Sequence, residues 1–200
     1  IRNPLGTIEG FARLLKRDLA EQPDGLRLAS KIVEGAQTLN YVITNLLTYA
    51  RPMLLQCELF SVNRLLLETR DYLEAKATTA NVTLDVDIPG EDVVANGDIR
   101  QLRQVLLNIG ANAVEACEEE GGHVRMAFAC KAGTDQFVIT DNGCGVPADE
   151  KSRIFDPFFT RKHGGTGLGL SLSHKIIEAH GGAIVIRDGD GNGTVFVVSL

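Results

Sequence analysis

Asn108-Ile109-Gly110-Ala111-Asn112 places two side-chain amides four residues apart, the spacing that brings both onto one stripe of a helix. An amide oxygen is a neutral, hard ligand, suited to a magnesium ion already held mainly by phosphates and water. An ordinary solvated helix stripe presents the same pair. Asp141-Asn142-Gly143-Cys144-Gly145 follows a strand-like run. A carboxylate at a strand end can accept a hydrogen bond from an adenine amino group, and glycines let the backbone approach a ring closely. Taken alone, the segment reads first as an Asp-Asn-Gly turn. Phe155-Asp156-Pro157-Phe158-Phe159-Thr160, followed by Arg161 and Lys162, has the aromatic anchors of a mobile loop, or of a small satellite core. Gly164-Gly165-Thr166-Gly167-Leu168-Gly169-Leu170 runs into a helix, where free backbone N–H groups and the positive helix end favour phosphate. It is not a P-loop, because Leu170 stands where lysine is needed, and its glycines are spaced by two rather than as G-x-G-x-x-G.

These clusters need elements to hold them. Asp98, with Gln101 three residues on, has the pattern of a capping box opening a long helix whose core face is Ile99, Leu102, Leu106, Ile109 and Ala113. A helix is expected from Ser61 to about Ala80, strands at 82–86, 124–130 and 136–140, and a helix over 168–179. A closing hairpin is expected from 183–187 and 194–200. The first ~55 residues read as two helices. Leu5, Ile8, Ala12, Leu15 and Leu19 form a seam of alternating threes and fours, as do Leu28, Ile32, Gly35, Leu39, Val42, Leu46 and Tyr49. Gln22-Pro23-Asp24-Gly25 supplies the turn, with Asp24 as the expected N-cap, and Arg51-Pro52 ends or bends the second helix. One short hairpin buries a single face, so two copies forming a four-helix bundle are expected. The rest predicts an α+β sandwich, helices over a mixed sheet.

Of the 200 residues, 44% are hydrophobic and 23% charged, a globular composition. A net charge of −6 argues against a nucleic-acid surface. No apolar run approaches the ~20 residues of a membrane span, so no membrane contact is expected within this stretch. The chain opens Ile1-Arg2-Asn3-Pro4 rather than with Met and reads as a piece of a longer parent, membrane-anchored or not. Cys57, Cys117, Cys130 and Cys144 form no C-x-x-C pair, which points to reduced thiols in a cytoplasmic domain. Asp188-Gly189-Asp190-Gly191-Asn192-Gly193 opens like an EF-hand loop, but Ser199 fills the twelfth position and a strand pattern follows, so a hairpin turn is expected.

In their order and separation, the Asn pair, Asp-x-Gly-x-Gly, Phe-x-Pro-Phe and Gly-x-Gly-x-Gly resemble the ATP-binding domain of the histidine kinase and gyrase-type (GHKL) ATPase superfamily, over residues 58–200. The resemblance implies a Bergerat-type sandwich that binds ATP and Mg²⁺. Asn112 would ligate the metal with Asn108 nearby, Asp141 would take the adenine amino group, and Gly143 and Gly145 would shape the adenine pocket with Thr194 beside it. Gly165, Thr166, Gly167, Leu168 and Gly169 would line the phosphates under a lid carrying Phe155 and Phe158. Lys162 would reach the terminal phosphates. Some members carry a lysine three residues after the metal-binding asparagine; here Glu115 stands there.

Ile1-Arg2-Asn3-Pro4-Leu5 resembles the tail of the motif His-Glu-x-x-(Asn/Thr)-Pro in sensor histidine kinases of two-component systems. That implies residues 1–55 as a dimerisation and phosphotransfer hairpin, and 56–200 as the catalytic domain, with a hinge at 50–60. The phospho-accepting histidine would lie two positions before Ile1, so the chain as given is expected not to phosphorylate itself. Asn3 would position water when a response regulator is dephosphorylated, or is simply a polar residue at a helix start. His123, His163, His174 and His180 all fall in the second half and are expected to be lone surface histidines. The implied partners are a second copy and a response-regulator receiver domain. The alternatives are another GHKL ATPase, which would usually carry glutamate where Asn108 stands, or a non-catalytic dimeric nucleotide sensor.

Overall fold

A computed structural model describes residues 2–20, 22–50, 53–117, 121–131, 133–162, 165–189 and 191–200, with backbone alone at 2–5, 38, 41, 45 and 48–50. The chain divides into two compact units, Ile1–Arg51 and Pro52–Leu200. Among the described residues, no helix is long and apolar enough to cross a membrane.

The first unit is a hairpin of α1 (Arg2–Asp18) and α2 (Pro23–Ala50). Proline suits the first helical position, since its missing N–H has no partner there in any case. The Gln22 carbonyl takes the first helical bond, from Leu26 N at 2.9 Å. Asp24 therefore sits inside the first turn and is not the N-cap the sequence suggested. The helices run antiparallel: Gln37 Nε2 donates to Glu9 Oε1 at 3.1 Å, while Leu19 lies against Gly25. Their contact is made by small residues, Ala12, Ala29 and Ala36, all buried. Most of the expected leucine seam faces outward, with Ile8, Leu15, Leu28, Ile32, Leu39 and Leu46 exposed. The Leu5 and Tyr49 side chains, and Arg51-Pro52, lie outside the described residues.

The second unit opens with β1 (Glu58–Ser61), which pairs antiparallel with β3 (Val94–Gly97) in a two-stranded sheet that the sequence did not announce. Residues 53–60 of the expected hinge pack with this unit: Phe60 is in its core, and Gln56 N donates to Asp98 Oδ2 at 3.0 Å. Ser61 caps α3 (Val62–Thr79), its hydroxyl accepting from Arg64 N. The main sheet has the order β2-β4-β5-β7-β6, from β2 (Thr83–Asp87), β4 (His123–Lys131), β5 (Thr134–Asp141), β6 (Ala183–Asp188) and β7 (Thr194–Ser199). The β2–β4 pair is parallel and the others are antiparallel. Helices α3, α4 (Ile99–Ala116) and α5 (Gly169–Ala179) pack beside one another over one face. Val124, Met126, Phe137, Ile139 and Val198 of the sheet meet Leu65, Leu102, Leu106, Ile109, Leu172 and Ile176 of the helices. The EF-hand-like segment is the β6–β7 turn, closed by Gly189 N to Gly193 O at 2.8 Å.

Asp98 caps α4 by accepting from Arg100 N and Gln101 N. The reciprocal half of the capping box does not form. Asp98 N instead donates to His180 Nε2 at 3.0 Å, and the other ring nitrogen lies 2.8 Å from the Ile176 carbonyl, so the proton sits on Nδ1. The Gln101 side-chain oxygen is buried without a partner among the described residues. His180 is thus a strut between α5 and the start of α4 rather than a lone surface histidine. His123 pairs with Asp85, and His174 pairs with Glu178 and packs on Phe155; His163 lies outside the described residues.

Candidate functional site

Strand periodicity dictates the chemistry at the end of β5. Alternate residues face the helices, so Phe137 and Ile139 enter the core and Asp141 follows them inward. Only 3% of Asp141 is exposed. Its Oδ1 accepts from Gly143 N at 3.0 Å and from Thr194 N at 3.2 Å, Thr194 being its register partner on β7. Burial pushes the carboxyl above the usual range, against the pull of these two bonds. Oδ2 makes no hydrogen bond among the described residues and remains a strong acceptor at the strand end. Asn142 fixes the turn, accepting from His123 N at 2.7 Å and donating to Gly121 O at 3.0 Å. Gly145 has φ +73°, and a Cβ there would lie 2.1 Å from the Asn192 carbonyl oxygen. Only glycine lets those two loops touch.

On α4, Asn108 and Asn112 do different things. Asn108 Nδ2 donates to the Gly169 carbonyl at 3.2 Å and lies 3.3 Å from Ser173 Oγ, tying α4 to the first turn of α5. Asn112 Oδ1 accepts from Lys162 Nζ at 3.1 Å. One turn further on, Glu115 pairs with both Lys162 and Lys76. Burial works to raise the Glu115 pKa, but the bonds and charges of Lys162 and Lys76 outweigh it and hold the carboxyl below its ordinary range.

Between β5 and α5 the chain contains turns but no regular element among its described residues. Phe155 is half-buried, its ring 5.0 Å from that of His174. Phe158 is 59% exposed and has φ +69°, an uncommon conformation for a bulky residue. Its N–H donates to the Gly167 carbonyl at 2.9 Å, and a Cβ on Gly167 would lie 2.3 Å from the Phe158 backbone. Thr160 Oγ1 accepts from Lys162 N, and Thr166 Oγ1 accepts from Leu168 N. Leu168 is fully buried and precedes α5 without any side-chain cap. The first N–H groups of α5 thus lack side-chain partners, as an anion site at a helix start requires.

The structure brings Asp141, Gly143 and Thr194 together, Asn108 with Gly169, and Asn112 with Lys162. Phe155 and Phe158 diverge, one against α5 and the other outward. The Asn3 side chain and Gly164 lie outside the described residues. Ser173 and Lys76 carried no motif signal, since their partners are 65 and 39 residues away, and the Asp-Asn-Gly turn did not reveal the bond of Asn142 to His123, 19 residues away. No group of three His, Cys, Asp or Glu side chains among the described residues is arranged to hold a metal. Asn112 Oδ1 is nevertheless an acceptor already facing a cation, the Lys162 ammonium, and so fits a metal that takes its other ligands from phosphate and water.

A half-buried amide stripe, a buried carboxylate beside backbone-tight turns and an uncapped helix start suit a nucleotide. Comparison with known proteins agrees. Residues 97–200 match the family "Histidine kinase-, DNA gyrase B-, and HSP90-like ATPase". The whole chain is 36% identical over 200 residues to the signal transduction histidine-protein kinase AtoS of Escherichia coli K12, covering 33% of that protein. The chain spans 27–46% of the length of such curated relatives. Full-length ShkA in complex with AMPPNP superposes over 99% of this chain and 43% of that one, with a TM-score of 0.82 and 28% identity. Histidine kinase ThkA, in complex with the response regulator protein TrrA, superposes over 100% of this chain and 57% of that one, with a TM-score of 0.76 and 29% identity.

Proposed function

Because the chain belongs to the sensor histidine kinases, with an ATPase domain of the histidine kinase, gyrase B and HSP90-like family, we propose that it binds ATP with magnesium and is the catalytic core of a two-component phosphorelay. The observation that carries this is Asp141: a buried carboxylate with one oxygen fixed by two backbone N–H groups and the other free. Oδ2 is the acceptor for the adenine amino group, with Gly143, Gly145 and Thr194 around the ring. Asn112 Oδ1 would hold the metal, with Asn108 beside it, and magnesium when bound would stabilise the phosphate charge. Gly165, Thr166, Gly167, Leu168 and Gly169 supply backbone donors at the α5 start. Phe155 and Phe158 belong to the lid, and Lys162 moves to the terminal phosphates.

The γ-phosphoryl group leaves ADP and forms a P–N bond to an imidazole, the histidine that the N-terminal motif places two positions before Ile1. It then passes to a response-regulator aspartate, a partner class that ThkA was crystallised with in the form of TrrA. Most of the catalysis is positioning. Asn108 favours transfer over hydrolysis: it brings no carboxylate to activate water, and its N–H group is spent on Gly169. The exposed stripe Leu28, Ile32, Leu39 and Leu46 fits a second copy of the hairpin, completing a four-helix bundle of residues 1–55, with 56–200 as the catalytic domain. Asn3 orients water for dephosphorylation of the regulator. Cytoplasmic residence fits four free cysteines and an ATP substrate.

Incubation with γ-labelled ATP and Mg²⁺ tests the assignment. This chain should bind nucleotide but acquire no acid-labile label, and the chain extended upstream through the motif histidine should acquire it. Stable label on the present 200 residues would contradict the placement of the acceptor.

A further inference from the structure

Among the described residues, Glu115 is a carboxylate with two lysine partners of different kinds. Lys76 lies on α3, inside the packed helical layer. Lys162 lies on the irregular segment between β5 and α5, which carries the lid. Asn112 and Glu115 are three residues apart on α4 and share a face, so one ammonium reaches both. Resting on the nucleotide reading above, we infer that Glu115 is a positioning residue that holds Lys162 on Asn112 in the nucleotide-free chain and releases it to the phosphates when nucleotide binds.

The physical reasoning is a competition of charges. The Lys162 ammonium is 3.1 Å from Asn112 Oδ1, so a divalent cation taking the same oxygen would stand close to a like charge, and the two compete for it. Lys162 would therefore leave Asn112 once that oxygen is needed for a metal, toward the denser negative charge of a triphosphate. Glu115 opposes the move, since it loses a partner. It is not stranded, because Lys76 remains as counter-ion. A half-buried carboxylate with one lysine would resist far more, given the cost of leaving a charge unpaired away from water. Lys162 thus brings its charge from the irregular segment, and Glu115 sets how readily it is delivered.

The test uses Glu115→Gln and Lys162→Met, singly and together, with calorimetric titration of Mg-ATP at low salt. Glu115→Gln should bind roughly 2- to 5-fold tighter than the wild type, the range expected for loss of one competing exposed ion pair. Lys162→Met should bind more weakly, and in that background Glu115→Gln should have no effect. Hydrogen exchange of residues 155–162 in the nucleotide-free chain is the second readout, and Glu115→Gln should speed it. Wild-type binding with an unchanged or weakened Glu115→Gln, a gain that persists without Lys162, or unaltered exchange overturns this inference alone. No binding by any of the four chains overturns the nucleotide reading on which it rests.

Discussion

Among the described residues of the helical hairpin the buried side chains are small, Ala12, Ala29 and Ala36, while Ile8, Phe11, Leu15, Ile32 and Leu39 stay outside. In the second unit the large side chains, Leu65, Leu102, Ile109, Phe137 and Ile139, are enclosed. Its inward row ends on a carboxylate instead of a hydrophobe. The second unit encloses most of its large hydrophobes and buries a carboxylate at Asp141, where the chemistry is proposed, and another at the helix cap Asp98. The hairpin leaves its pattern open to solvent, an exposed apolar face of the kind the proposed second copy would cover. The carboxylate of Asp141 lies at the proposed nucleotide site, and the exposed leucines of the hairpin lie on the proposed dimer seam.

The contrast breaks most visibly in the core. Ile109→Ala should destabilise the second unit by about 2–5 kcal/mol, read as a lower urea midpoint; a loss below ~1 kcal/mol would mean that the helix-over-sheet packing is loose. The hairpin should respond differently. Ile32→Glu with Leu39→Glu should weaken self-association at least ~10-fold in sedimentation equilibrium, since an unpaired charge would be buried at the seam, while nucleotide affinity is retained. Unchanged association would place the dimer seam elsewhere. At the start of α4, Asp98→Ala should cost about 1 kcal/mol, the usual loss for an N-cap, seen as a lower melting temperature.

The smallest effect sharpens the contrast most. Burial raises the Asp141 pKa in the folded chain. Its contribution to stability is therefore fully present below the unfolded carboxylate pKa and is lost as pH rises through the raised folded value. Asp141→Asn escapes that loss and can still accept both backbone N–H bonds. Without nucleotide it should melt at or slightly above the wild-type temperature at pH 7, with the difference vanishing near pH 3. A clearly lower melting temperature at pH 7 would make Asp141 a structural residue.

Legibility in the sequence followed the range of each interaction. Ser61 and Asp98 act within a few residues of themselves, and both helix starts were readable. β1 and β3 were not: at four residues each they are too short for a period to show, and their inward pair, Phe60 and Ala95, meets only on folding. Gln101 looked like the second half of a capping box, yet His180, 82 residues from Asp98, takes that role. The leucine repeat was visible, but the side of the hairpin it occupies was not, because alanines at Ala12, Ala29 and Ala36 carry little pattern of their own. The motif residues near Asp141 and Asn112 were found by spacing, whereas Ser173, Asn142 and Lys76 take part through contacts that no local spacing encodes.

The central claim is that the free oxygen of Asp141 recognises a purine amino group. Calorimetric titration of Mg-ADP into the wild type and Asp141→Asn at pH 7 addresses it, with both chains shown to melt alike. A magnesium-dependent binding isotherm for the wild type and none for the variant is the predicted result. Equal isotherms for the two, or none for the wild type, would contradict it.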